Sequence, residues 1–126
     1  IVRADVAYHD YEGVALDLDE RERLVADLGP DKHSMLLRNH GTLTCGETAA
    51  MTFTRMFFLE RACSMQVMAL SAGRDGVLEC DDDLQGKVAG QGGMTGHSSG
   101  MGSLTEKLVW PAMKRKLDRQ SPGYDT

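Results

Sequence analysis

Leu36-Leu37-Arg38-Asn39-His40-Gly41-Thr42-Leu43-Thr44-Cys45-Gly46 decides how this chain folds. Two short apolar or β-branched runs, Ser34 to Leu37 and Thr42 to Cys45, flank a segment of turn-forming residues. That pattern predicts two strands joined as a hairpin-like pair. It also leaves one imidazole, His40, at the end of a buried strand, between an Asn that can fix the turn and a Gly that lets other groups approach closely. Such a ring can be presented into a cleft. Taken in isolation it reads as a satisfied core histidine, because a metal site needs three or four ligands, each held by further contacts.

Downstream of Gly46, Thr48 is a candidate N-cap for a helix running to about Ala72, with Gly73 as its C-terminal cap. Phe53, Met56, Cys63, Val67 and Leu70 recur at helical steps, and Met51, Phe58, Met65 and Ala69 add apolar material to other faces. A helix apolar nearly all round is expected to be buried on two sides, between a sheet and another subunit. Upstream, Val2 to Tyr8 reads as a short strand and Tyr8 to Gly13 as a polar, aromatic turn. Asp17-Leu18-Asp19-Glu20 has a capping-box arrangement for a helix through about Leu28, with Leu24, Val25 and Leu28 facing inward. Gly29-Pro30 stops that helix.

Beyond Gly73 the composition changes. Asp81-Asp82-Asp83 is a solvated acidic cluster, and Gly86 to Gly102 is dense in Gly and Ser, so a mobile loop is expected over 74–102. Neither phosphate-cradling glycine pattern is present, which disfavours a phosphate site. Ser103-Leu104-Thr105-Glu106 is a second capping box, opening a terminal helix through about Leu117 that Pro111 should kink or delay. Lys114, Arg115, Lys116 and Arg119 read as a solvated face matched to the helix dipole. The expected organisation is one domain over 1–126: a sheet-and-helix core over 1–73, a flexible loop over 74–102, and a terminal helix and tail over 103–126.

A length of 126 residues with 41% hydrophobic and 26% charged content suits one soluble globular domain. A net charge of −5 argues against a nucleic-acid partner. No apolar run is long enough to span a bilayer. Ile1 stands where an initiator Met would, without a signal-peptide pattern, so a piece of a longer chain is expected. Three cysteines without C-x-x-C spacing read as reduced thiols in a cytoplasmic protein, with Cys63 a small core residue. Among the other histidines, His33 is expected to be exposed in a polar loop, and His97 lies in the Gly/Ser segment. His9 reads first as a hydrogen-bonded turn histidine that Asp10 can orient, with a catalytic role left open.

Several of these stretches resemble the class II aldolase/adducin family, in particular its adducin-like branch. They are Tyr8-His9-Asp10-Tyr11-Glu12-Gly13, Leu28-Gly29-Pro30, the Leu36 to Gly41 segment, and Phe58-Leu59-Glu60-Arg61-Ala62-Cys63 with Gln66 one turn on. More weakly, Trp110-Pro111-Ala112-Met113, Leu117-Asp118 and Pro122-Gly123-Tyr124 resemble the family's tail. The resemblance implies a three-layer α/β/α sandwich on a mostly antiparallel sheet, of which only the carboxyl-terminal part is present. It implies that His40 is one of three histidine ligands of a divalent metal, usually zinc. The other two form a His-x-His pair in that family, and no such pair occurs in this chain. It further implies lyase-type chemistry, aldol cleavage or a related epimerisation or decarboxylation, on a small hydroxylated carbonyl substrate, in a homotetramer. The alternative it implies is an adducin-like, non-catalytic oligomerisation or actin-associated module. Glu12 and Glu60 are not expected to replace the family's upstream acid, and Glu60 is expected to pair within a buried helix.

Overall fold

A computed structural model describes residues 2–13, 18–92 and 100–125. A 3-10 turn, Arg3–Asp5, leads into strand β1 (Val6–His9), and helix α1 (Glu20–Leu28) follows. Strands β2 (Ser34–Leu37) and β3 (Gly41–Thr44) precede the long helix α2 (Ala49–Leu70). Helices α3 (Asp82–Gly92) and α4 (Gly100–Leu104) come next. A π-helical segment, Thr105–Val109, then joins α4 to α5 (Trp110–Gln120).

The sheet order is β1-β2-β3. β1 and β2 run parallel, with α1 in the crossover that parallel strands require, and β2 and β3 form the expected antiparallel pair. Paired residues share a face of the sheet, so Ala7, Met35 and Leu43 form one row and His9 and Leu37 the next. His9 bonds Asp27 on α1, which puts α1 on that face. On the other face the Thr44 hydroxyl donates to the Thr52 carbonyl (3.1 Å) and the Thr42 hydroxyl to Glu60 (2.9 Å), both on α2. Helix, sheet and helix thus make three layers, as the family resemblance implies.

The buried apolar residues among those described are Ala7, Met35, Ala50, Met51 and Leu59. On α2 the inward positions are Ala50, Met51, Thr54, Arg55 and Leu59, not the expected stripe through Phe53, Cys63 and Val67. Cys63 is half-buried and Val67 is exposed. Length explains the exposure beyond Leu59. A 22-residue helix runs about 33 Å, whereas strands of four residues span about 13 Å, so the carboxyl half of α2 overhangs the sheet.

Thr48 caps α2 by accepting from the Met51 amide (3.2 Å), and Gly29 ends α1 at φ +67°, as expected, whereas α2 ends at Leu70 with Ser71 as its cap and Gly73, at φ +85°, lies two residues further on. Several boundaries differ from the sequence reading. β1 begins only at Val6 and includes His9, which is therefore a strand residue rather than a turn residue. Asp19 flanks α1 without a side-chain capping bond, Val25 faces solvent, and Asp17 lies outside the described residues. The segment expected to be a loop over 74–102 contains helix α3, started by Asp81, whose carboxylate accepts from the Leu84 amide (2.7 Å). The terminal helix opens at Gly100, so Ser103 lies inside it. Pro111 is accommodated by the widened turn before it, where the Trp110 amide donates to the Thr105 carbonyl five residues back.

Candidate functional site

The turn between β2 and β3 is closed by the His40 amide donating to the Leu37 carbonyl at 3.0 Å. Asn39 adopts a left-handed φ of +55°, a conformation that Asn tolerates better than most residues. The Arg38 amide donates to the His9 carbonyl (3.0 Å), tying the start of the turn to the end of β1. His40 is exposed, and its ring has no hydrogen bond or ion pair among the described residues. It lines a cavity of about 70 Å³ with His9, Glu12, Glu20, Leu24 and Leu37.

His9 forms the floor of this cavity and is only 4% exposed. Its Nδ1 lies 2.7 Å from Asp27 Oδ2. An ionised carboxylate only accepts, so Nδ1 carries the hydrogen and donates it. The orienting acid is therefore Asp27 of α1 and not the adjacent Asp10, which pairs instead with Arg38 (2.9 Å). Arg38 in turn lies 5.3 Å over the Tyr8 ring. The other ring nitrogen, Nε2, is buried without a hydrogen-bond partner among the described residues. Glu20 and Glu12 oxygens stand 3.7 and 3.9 Å from it, and Glu12 is also held by both oxygens on Arg23 Nε (2.9 Å each). Behind this cluster a second, polar cleft of about 430 Å³ opens between Tyr8, Asp10, Arg23, Asp27 and Arg38.

The structure thus brings His9 and His40 to one cavity and leaves the other candidates elsewhere. His33 is half-buried rather than exposed: Asp5 Oδ1 accepts from its amide (3.0 Å) and its Nδ1 (2.8 Å), a bracing role at the start of β2. His97 lies outside the described residues. Glu60 is exposed on the opposite side of the sheet and takes the Thr42 hydroxyl, so it does not pair within a buried helix. The sequence reading missed Glu20 and Asp27. Their seven-residue spacing puts both on one side of α1, and acids repeating at that interval on a packed helix are the signal that could have found them.

Among the described residues no group of three His, Cys, Asp or Glu is arranged to hold a metal ion. The exposed, unengaged ring of His40 fits the role of a single ligand. The acids around His9 do not complete a set with it.

A model of the Class II Aldolase and Adducin N-terminal domain matches residues 1–67, ending within α2. A Caulobacter vibrioides protein with a provisional aldolase class 2 name is 58% identical over 98% of this chain and 46% of its own length. Mouse alpha-adducin is 36% identical over 97% of the chain and 17% of its own. The crystal structure of an aldolase II superfamily protein from Pseudomonas syringae superposes with a TM-score of 0.83 at 42% identity, over 97% of this chain and 46% of that one. The chain spans about half the length of these bacterial relatives. With the family model covering more than half of its residues and the fold matching at high identity, this chain belongs to the class II aldolase/adducin family.

Proposed function

We propose that this chain is the carboxyl-terminal part of a class II aldolase-type domain, in its adducin-like branch, and that His40 is one ligand of a divalent metal, zinc in the first instance. The observation that carries the reading is the free imidazole of His40, held at a strand tip by a closed turn and exposed to a cavity rather than buried in hydrocarbon. The remaining ligands lie outside this chain. A divalent metal so held would stabilise negative charge developing on a carbonyl oxygen. The reaction class is aldol cleavage, or a related epimerisation or decarboxylation, of a small hydroxylated carbonyl compound. A cytoplasmic setting suits the three free cysteines, and a homo-oligomer suits the apolar residues exposed along α2.

The test is zinc binding by the full-length gene product, with His40→Ala against His33→Ala as control. The expected result is loss of zinc affinity for the first variant and little change for the second. Equal affinity of His40→Ala and wild type would remove His40 from the metal. The match to alpha-adducin favours a second reading, a non-catalytic oligomerisation or cytoskeletal module. Self-association without zinc binding in the full-length product would select it.

A further inference from the structure

His9 joins three parts of the site that the sequence separates. Its Nδ1–H is anchored on Asp27 of α1, its Nε2 edge faces Glu20 of the same helix and Glu12 of the preceding segment, and its carbonyl takes the Arg38 amide that begins the His40 turn. The ring is 4% exposed and forms one wall of the cavity that His40 also lines. The backbone of His9 is held by β2, in register with Leu37, so its ring and not its main chain is what the contact to α1 fixes. α1 has no fully buried residue, and of its apolar residues only Leu24 and Leu28 are half-buried. The Asp27–His9 hydrogen bond, charge-assisted and short, is the side-chain tie from α1 to the last residue of β1, beside the Arg23–Glu12 pair that holds α1 to the segment after it.

We propose that His9, held by Asp27, is the positioning residue of the His40 turn. This rests on the reading of His40 as a metal ligand and deepens it, because it names what holds that ligand in place. Without the tie, α1 carries Glu20 and Leu24 away from the cavity, the His9 ring loosens, and the cavity that His40 lines loses one fixed wall. Partners that orient a metal ligand without touching the metal commonly control affinity by about ten- to a hundredfold.

The experiment uses the full-length gene product and four variants, Asp27→Ala, His9→Gln, His9→Asn and, as control, Asp31→Asn. Asn places its amide nitrogen where Nδ1 stands, whereas Gln places it nearer Nε2. If the bond to Asp27 is what matters, His9→Asn rescues and His9→Gln does not. Two readouts are taken: zinc affinity by competition with a chromophoric chelator, and the ring signals of His40 by nuclear magnetic resonance in the metal-free protein. Asp27→Ala and His9→Gln are expected to weaken zinc about tenfold or more and to shift the His40 ring signals. His9→Asn and Asp31→Asn are expected to stay within about twofold of wild type, well short of the about tenfold loss of an orienting partner. Asp27 is nearly half exposed, so its variant reports even if a His9 variant fails to fold. Wild-type zinc affinity with unshifted ring signals in Asp27→Ala overturns the proposal, and so does a His9→Asn protein as impaired as His9→Gln. Failure of the metal reading is separable: His40→Ala would then bind zinc normally, while the ring signals still report whether His9 positions the turn.

Discussion

Arg55 Nη1 donates to the carbonyl of Cys45 across 2.7 Å, so a buried guanidinium of α2 secures the chain just where β3 ends. The bond explains why α2 presents Arg55, with Met51 and Leu59 one turn to either side, to the sheet. Phe53 packs instead against Trp110, with ring centroids 5.8 Å apart. Replacing Arg55 by Leu removes a hydrogen bond from a charged donor and is expected to cost about 1.5–3 kcal/mol. Urea unfolding of the full-length protein, read as a shift in midpoint at constant slope, measures it.

Gly46 occupies a position with no room for a side chain. A methyl group there would meet Thr52 Oγ1 at 2.7 Å and the Thr52 amide nitrogen at 2.8 Å, inside the first turn of α2. The hydroxyl can rotate aside, but the backbone nitrogen cannot. Gly46→Ala is therefore expected to destabilise by about 1–3 kcal/mol, the usual range for an overpacked site. An unchanged thermal midpoint would show that the link between β3 and α2 is softer than its geometry implies.

Asn39 sits at φ +55° between Arg38 and His40. A β-branched residue in that conformation costs about 1–2 kcal/mol, whereas Gly adopts it freely. Asn39→Val is expected to lower stability by that amount and to weaken zinc binding with it, because the strain falls on the residue next to His40. Asn39→Gly should match wild type in both measurements. Equal behaviour of the two variants would mean that the turn does not hold His40.

The hairpin around His40 was legible because its signals are local: two short strands, an Asn that tolerates a left-handed φ, and a hydrogen bond over three residues. The caps at Thr48 and Gly29 were legible for the same reason. The surroundings of His9 were not. Its true partner, Asp27, lies 18 residues away and reaches it only through the parallel β1-β2 crossover, while sequence adjacency pointed to Asp10. Burial along α2 was misread because periodicity reports which residues are apolar, not how much of the helix the sheet can cover. Helix α3 was hidden by its glycines at 86, 90 and 92, and the cap supplied by Asp81 is the local signal that outweighs them.

The overhanging half of α2 yields the last prediction. Met65, Val67 and Met68 are each more than half exposed, and Phe57 is likewise exposed beside Val109 and Met113 at an apolar cavity of about 190 Å³. Apolar side chains repeated along one helix in this way are a liability in an isolated domain and are normally covered. Coverage by a symmetry-related copy would be isologous or ring-closing. Light scattering of the full-length protein is expected to show a non-monomeric species. Met65→Glu with Met68→Glu should reduce its mass while leaving the circular dichroism spectrum intact, since neither side chain contributes to the buried core. A clean monomer for the wild type at every concentration would mean that this surface is covered within one chain instead.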